Sequence, residues 1–163
     1  MSKPTTAIQD RIIRAFTALD LLPPSPELRA LHARLRAELD GDGDGVAATL
    51  TPDFTVTMHN GTATSSLSAD AVIDGVRAQG AAGILLWTEF DVLAAASGTI
   101  AGTGHLCVVA GSTLTVTPMA LSARFTGSRM SSESVFLAGA TQSNTLDTCA
   151  LPSSEQLRNR LGR

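Results

Sequence analysis

Apolar residues recur at helical spacing in three segments of the first half of the chain. TTAIQDRIIRAFTALDLL predicts a helix over about 7 to 21, ended by Pro23 and Pro24, with an apolar stripe of Ile8, Ile12, Ala15, Phe16 and Leu19. A second helix is predicted from Ser25 as N-cap and Pro26 as its first residue, with the stripe Leu28, Leu31, Leu35 and Leu39. A third is predicted between Ser68 as N-cap and Gly80 as its stop, with the stripe Ala69, Val72, Ile73 and Val76.

A period of two residues, typical of half-buried strands, appears after the second helix and dominates the second half. DFTVTMH sets an apolar series against a polar one, namely Phe54, Val56 and Met58 against Thr55, Thr57 and His59. Four longer segments rich in β-branched and aromatic residues are separated by Ser-Gly or Thr-Gly turn signals: ILLWTEFDVLAAA, TIAGTGHLCVVAG, STLTVTPMALSARFT and RMSSESVFLAGAT. They predict an antiparallel meander. The order of elements predicts an α+β domain whose helices cover one face of a curved sheet.

A length of 163 residues predicts a single domain that can bury a core without disulfides or metals. Residues 1–24 are expected to add a helical segment to this domain, and residues 144–163 to form a C-terminal tail. Within that tail Ser153 and Gln156 fit a capping box at the start of a short helix.

Charge and apolar runs exclude several classes of partner. The net charge is -3 and no basic run is present, which argues against nucleic acid. No signal-peptide core and no apolar stretch of membrane-spanning length occurs, so no membrane association is predicted and a cytoplasmic protein is expected. In that compartment Cys107 and Cys149 are expected to be separate thiols rather than a disulfide.

Three alternate aspartates in ELDGDGDGVAATL resemble the start of a calcium loop. Asp40, Asp42 and Asp44, with Gly45, match the first half of an EF-hand loop, but Thr51 stands where a bidentate carboxylate closes the coordination shell. The favoured interpretation is a solvated connection whose last aspartate, Asp44, caps a short helix near 45 to 50. No metal site is predicted.

Two segments carry a resemblance to a known family. GDGVAATLTPDFTVTMHNG resembles the part of the SnoaL-like polyketide cyclase family where a Gly-Asp turn leads through a short helix into a strand that begins Pro-Asp-Phe. STLTVTPMALSARFTGSRMSS is similar to that family's hairpin, and with FDVLAAASGTIAG the resemblance covers about residues 30 to 140. It implies the nuclear-transport-factor-2-like, cystatin-like fold: a strongly curved antiparallel or mixed sheet wrapped as a cone around N-terminal helices.

The resemblance implies an apolar pocket in the cone, for which Phe54, Met58, Trp87 and Met119 are the candidate substrate-binding residues. The family's enzymes are expected to work without a cofactor, through an acid/base side chain whose pKa is moved by burial. The absence of tyrosine excludes the ketosteroid isomerase arrangement that uses a tyrosine hydroxyl.

Three candidate catalytic groups precede the last strand. His59 ends the first strand where members of this superfamily often place an acid or base, although strict alternation turns it away from Phe54. Asp91 shares a strand face with Trp87, where burial would raise its pKa, but an edge strand in water is the alternative. His105 is either a core histidine bonded to a backbone carbonyl or a pocket base.

Glu133 is the fourth candidate. The family's last strand commonly carries a Gly-Lys-Ile-x-Glu-x-Trp-like run, whereas GSRMSSES has Ser132 at the acid position and Glu133 one residue later. Since a slip of one residue moves a side chain across the sheet, Glu133 is expected on the opposite face.

Two functions follow as expectations. The first is a cofactor-independent cyclase, isomerase or dehydratase, thus an isomerase or lyase, acting by proton transfer on a hydrophobic carbonyl-bearing or polycyclic molecule such as a polyketide or steroid. The alternative is a non-catalytic binding or dimerisation domain of the same fold. A homodimer is expected in either case, because the outer face of such a sheet carries few charges.

Overall fold

The computed structural model describes residues 4–139, 141–146, 157, 159 and 161. Its helices are α1 (Pro4–Asp20), α2 (Pro26–Asp40), α3 (Gly43–Thr49) and α4 (Ala69–Ala81). Its strands are β1 (Leu50–Asn60), β2 (Ala63–Ser68), β3 (Leu85–Ala96), β4 (Thr99–Ala110), β5 (Thr113–Thr126), β6 (Arg129–Leu137) and β7 (Gln142–Thr145). Cys149, Ser153 and Gln156 lie outside the described residues, so the expectations for them stay untested.

Helix starts are fixed by the residues that the sequence predicts. The Ser25 hydroxyl accepts the backbone N–H of Leu28 at 3.1 Å, and the Ser68 hydroxyl accepts that of Ala71 at 3.3 Å. Each bond satisfies one of the amides that a first helical turn leaves without a partner. Helix α4 continues one residue beyond Gly80 and is capped by Ala82.

The aspartate loop is a helix start, with a different capping residue from the predicted one. Asp42 caps α3 by accepting the Gly45 N–H at 2.9 Å. Asp44 lies in the first turn and pairs with Arg77 of α4 at 2.6 Å. The expectation that Asp44 is the cap is therefore wrong by two positions.

The strands form one mixed sheet in the order β2-β1-β6-β5-β4-β3. Only the β1–β6 pair on this path is parallel among the described strands; its neighbours are antiparallel. Strand β7 pairs with residues 113–116 of β5, beyond the part of β5 that β6 covers, and so continues the line of β6. The α+β class and the curved mixed sheet are confirmed, and the sheet is curled without closing into a barrel.

Register divides the sheet into two faces. We call inner the face that carries Leu86, Leu106 and Met119, because α2 and α4 contribute residues to the cavity that these side chains line. The outer face carries Trp87, Cys107 and Val116, which lie opposite one another in neighbouring strands and are also buried.

Helix α1 lies along the outer side of β3. The Arg11 guanidinium donates two hydrogen bonds to the Glu89 carboxylate, at 2.5 and 2.9 Å. Its stripe of Ile8, Ile12, Phe16 and Leu19 is buried as predicted, and Phe16 meets the ring of His32 on α2 edge-on at 5.3 Å. The helix therefore runs from the outer face, around the free edge of β3, to α2.

Candidate functional site

A cavity of about 240 Å³ lies between the inner face of the sheet and helices α2 and α4. Its walls are mostly aliphatic side chains and methionines, with two neutral polar groups and one charged cluster. The lining comprises Arg34, Leu35, Glu38, Val56, Met58, Leu67, Ala71, Val72, Gly75, Val76, Gln79, Leu86, Thr88, Leu106, Met119, Leu121, Glu133 and Val135.

One arginine holds both carboxylates of this lining. Arg34 Nη1 lies 2.7 Å from Glu133 Oε2, and Arg34 Nε lies 3.0 Å from Glu38 Oε1. The three side chains are 7, 10 and 12% exposed for Arg34, Glu133 and Glu38. The guanidinium also stands over the ring of Phe54, with Cζ 5.1 Å from the ring centroid. We name Arg34, Glu38 and Glu133 the charged triad.

Burial governs the protonation of the triad. Desolvation raises the pKa of Glu133 above its ordinary value, because the attraction of Arg34 does not offset the loss of water and Glu38 adds a second negative charge. Burial by itself lowers the pKa of Arg34, but Glu133 and Glu38 outweigh it and raise that pKa. The triad thus combines a permanent cation with a carboxyl group that holds its proton more tightly than a glutamate in water.

A β-bulge turns Glu133 into the cavity. Across β5 and β6 the partners are Phe125 with Met130 and Arg124 with Ser132, so Ser131 is an extra residue. Met130 faces inward and is 1% exposed, and the extra residue resets the alternation so that Glu133 faces inward too, opposite Val56 of β1. Ser132 and Glu133 lie on opposite faces, as the one-residue offset predicts, but the bulge gives the cavity side to Glu133 and not to Ser132.

The predicted apolar lining divides into two pairs. Met58 and Met119 line the cavity. Phe54 is buried beneath Arg34, outside the lining itself. Trp87 is fully buried on the outer face, where its indole N–H donates to Glu89 Oε1 at 3.0 Å. Contrary to expectation, Trp87 therefore packs on the far side of the sheet from the cavity.

His59 points away from the cavity, on the outer face of β1. Its ring stacks on Phe136 of β6, with the centroids 4.3 Å apart and the planes at 5°. Its Nδ1 lies 3.3 Å from the Thr64 hydroxyl. The strict alternation of this strand, which turns His59 away from Phe54, agrees with the structure.

Asp91 and His105 meet on the outer face, across the sheet from the charged triad. His105 Nδ1 lies 3.6 Å from Asp91 Oδ2, and the two side chains are 37 and 64% exposed. They border a cleft of about 310 Å³ with Arg11 and Glu89. The four predicted catalytic candidates therefore occupy three separate places, and Glu133 is the one that lines the inner cavity.

Sequence reasoning missed Arg34 and Glu38 although the signal was present. Both follow Leu31 at helical spacing, three and seven residues on, and therefore lie on the buried face of α2 together with Leu35. Charged residues on such a face are rarely fully buried unless paired. An arginine and a glutamate that share a helix face with buried leucines therefore predict an internal ion pair.

Comparisons with solved structures identify the fold once this geometry is known. Delta 5-3-ketosteroid isomerase from Mycobacterium sp. matches with a TM-score of 0.62 and 15% identity over 74% of this chain and 100% of that one. A candidate SnoaL-like polyketide cyclase from Shewanella denitrificans OS-217 matches at 0.56 and 8% identity over 68 and 88%. A computationally designed 17-OHP binder matches at 0.63 and 14% identity over 74 and 100%. No protein-family model and no curated protein matches the sequence.

The fold and the cavity together define the class of protein. The chain has the SnoaL-like, nuclear-transport-factor-2-like fold that the sequence predicted, with a pocket inside the curled sheet. At these identities the likeness concerns the fold alone. None of the helices among the described residues is long and apolar enough to cross a membrane.

Proposed function

We propose that the protein is a cofactor-independent enzyme that moves a proton on a small, apolar, carbonyl-bearing molecule, with Glu133 as the acid/base. The observation that carries the proposal is the position of Glu133: a carboxyl group buried in an aliphatic cavity, held at 2.7 Å by Arg34, with a raised pKa. An isomerase, cyclase or dehydratase uses such a group for the same elementary step.

The step is proton abstraction next to a carbonyl. Ionised Glu133 takes the proton, the C–H electron pair moves into an enolate, and the carboxylic acid so formed returns the proton at the same or a conjugated carbon. Arg34 fixes the position of the carboxylate through their ion pair. Thr88 and Gln79 belong to the same lining and supply neutral hydrogen-bond donors for the developing oxygen charge.

Apolar walls support both the reaction and the ligand class. Met58, Met119, Leu106 and Val135 offer no polar atoms to a hydrophilic ligand. An aliphatic cavity of about 240 Å³ favours a compact apolar molecule, which can expel water from around the carboxylate and strengthen its basicity on binding. Two structural neighbours, a ketosteroid isomerase and a 17-OHP binder, are named for ligands of this class.

The test is proton exchange on 2-acetylnaphthalene, a neutral aromatic ketone. NMR follows the loss of its methyl protons in D2O with the wild-type protein, Glu133→Gln and Asp91→Asn. The proposal expects exchange that Glu133→Gln slows by about 10² to 10⁴-fold. Asp91→Asn, which removes a carboxylate on the other face of the sheet, is the matched control and is expected to exchange at the wild-type rate.

The results of this experiment distinguish a proton-transfer enzyme from a non-catalytic binding domain. Exchange that survives Glu133→Gln in a folded protein contradicts the residue assignment. Binding of the ketone without any exchange contradicts the enzyme and supports a ligand-binding domain instead. Circular dichroism and thermal unfolding of each variant establish that a lost rate is not a lost fold.

We also propose a homodimer formed through the outer face of β1 and β6. Phe136 is 47% exposed there and stacks on His59. The neighbouring outward residues Thr57 and Ser134 carry no charge that would oppose a second copy. Light scattering is expected to give twice the chain mass, and Phe136→Glu is expected to reduce it to that of a single chain.

A further inference from the structure

We propose that Glu38 sets the charge selectivity of the cavity: by occupying Arg34 it makes the site accept neutral ligands and reject carboxylates. The inference rests on the proposed function in so far as it concerns the same cavity, but it concerns binding rather than proton transfer. The ligands it concerns are neutral molecules, and Glu38 takes no part in the proton-transfer step.

The cation of the cavity, Arg34, is already paired with two carboxylates. Arg34 gives its Nε to Glu38 at 3.0 Å and its Nη1 to Glu133 at 2.7 Å. A guanidinium recognises a carboxylate by presenting two parallel N–H groups at once. Because both glutamates already bind the guanidinium, a ligand carboxylate would have to share the cation with two negative charges.

The summed charge of the cavity lining does not favour an anion. Among the described residues of the lining, Arg34 is the positive one, and Glu38 and Glu133 are negative. The cavity is therefore negative when Glu133 is ionised and neutral when it is protonated. A ligand carboxylate would lose its water among aliphatic side chains and find no net positive charge in return.

Glu38 is the residue on which the rejection of anionic ligands depends. It lies one helical turn after Arg34 on α2 and is 12% exposed, so the helix itself holds it beside the arginine. Replacing Glu38 with glutamine keeps the shape but removes one negative charge and weakens the bond to Nε. The cavity then becomes neutral, or positive when Glu133 is protonated, which is the condition for accepting an anion.

The experiment uses two probes of nearly equal shape, 2-acetylnaphthalene and 2-naphthoate, which differ by a methyl group against an anionic oxygen. Fluorescence titration measures both dissociation constants for the wild type, Glu38→Gln and Asp53→Asn. Asp53 is exposed on β1, and its replacement changes the net charge by the same amount without touching the lining. The wild type is expected to bind the ketone roughly 100-fold more tightly than naphthoate.

Glu38→Gln is expected to reduce that ratio by about tenfold or more, mainly by tightening naphthoate, while Asp53→Asn leaves it unchanged. Wild-type binding of naphthoate within about threefold of the ketone overturns the inference. That comparison needs no variant, so it decides even if Glu38→Gln fails to fold. A ratio unchanged in folded Glu38→Gln overturns the role of Glu38.

Failure of the proposed function gives a different pattern. Selective binding of the ketone without proton exchange contradicts the enzyme but leaves charge selectivity standing. Exchange by Glu133 with equal binding of both probes contradicts charge selectivity alone. If neither probe binds the wild type, the cavity is not a site for such ligands and both proposals fall.

Discussion

Arg34 and Glu133 form an ion pair, 2.7 Å apart, between α2 and β6 at the wall of an apolar cavity. The pair connects the helix that covers the inner face to the strand that runs parallel to β1. Because water is excluded from both groups, the pair matters in two ways: it fixes the position of α2, and it decides which protonation states the cavity can hold.

Removing the arginine tests the first of these roles. Arg34→Met leaves Glu38 and Glu133 buried without a cation, which costs about 3 to 5 kcal/mol of unfolding free energy at neutral pH. Burial already raises the pKa of Glu133 and the variant lacks the cation that lowers it, so the variant loses stability as pH rises and recovers some in acid. Urea denaturation at neutral and mildly acidic pH measures this.

Arg36→Met is the control for that variant. Arg36 lies on the same helix and pairs with Asp40 at 3.6 Å, in a more exposed position. Its loss is expected to cost about 0 to 1 kcal/mol. Equal costs for the two variants would mean that the cavity pair has no special role in stability.

The pH dependence of proton exchange tests the second role. Burial raises the pKa of Glu133 above its ordinary value of 4.5, and a general base acts in its ionised form. The exchange rate is therefore expected to rise with pH, with a midpoint above that value. A midpoint below it, or the same profile in Glu133→Gln, would show that another group accepts the proton.

The contact between Arg11 of α1 and Glu89 of β3 stabilises the fold at neutral pH and is lost in acid. This pH dependence is the opposite of the one expected for Arg34→Met. Burial by itself raises the pKa of Glu89, but hydrogen bonds from Arg11 and Trp87 outweigh it and lower that pKa. Its contribution to stability is present above the ordinary glutamate pKa and is lost as pH falls through the lowered one. Glu89→Gln should cost about 1 to 3 kcal/mol at neutral pH and reduce this acid sensitivity.

A thermal unfolding series from neutral to acidic pH compares Glu89→Gln with Asp91→Asn, two residues further along the same strand. Asp91 is mostly exposed, so its replacement should leave the unfolding free energy within about 0.5 kcal/mol of the wild type. A loss as large in Asp91→Asn as in Glu89→Gln would assign the stability to the general charge of this face rather than to the Arg11 contact.

Two glycines on α4 predict opposite effects of the same substitution. A Cβ on Gly80 would lie 2.8 Å from Gly41 Cα, where the two backbones touch, whereas a Cβ on Gly75 would meet nothing within 4 Å. Gly80→Ala is expected to destabilise by about 1 to 3 kcal/mol. Gly75→Ala is expected to stabilise by about 0.5 to 1 kcal/mol, since alanine is the better helix former. If both substitutions stabilise the protein, the close contact between the backbones of Gly80 and Gly41 is excluded.

Most elements of the fold were predictable because their signals are local. Ser25 and Ser68 cap the helices that the sequence assigned to them, and each long strand carries its own β-branched or aromatic residues and a turn signal. Strand β2 was missed for a physical reason. ATSSLS is exposed at every position and lacks an alternating apolar series, so its pairing with β1 is what makes it a strand.

The site was less predictable because two of its determinants are not local. Glu133 was named, but its inward direction depends on the extra residue Ser131, which only the pairing with β5 reveals. The sequence predicts one pocket for Trp87 and Met119, yet register puts them on opposite faces. A strand pattern buried on both faces does not say which face meets a cavity.

The unequal covering of the sheet has a consequence for hydrogen exchange. Strand β4 is paired on both sides, and its residues 104–109 are buried or half-buried on both faces of the sheet. Strand β2 is an exposed edge, and β1 and β6 are packed on the inner face while their outer side chains stay partly in water. Amide protons of β4 should therefore be the last to exchange, through global unfolding, and those of β2 among the first. Leu67 of β2 lines the cavity, so local opening of this edge gives a ligand a route to Glu133 without unfolding the rest of the protein.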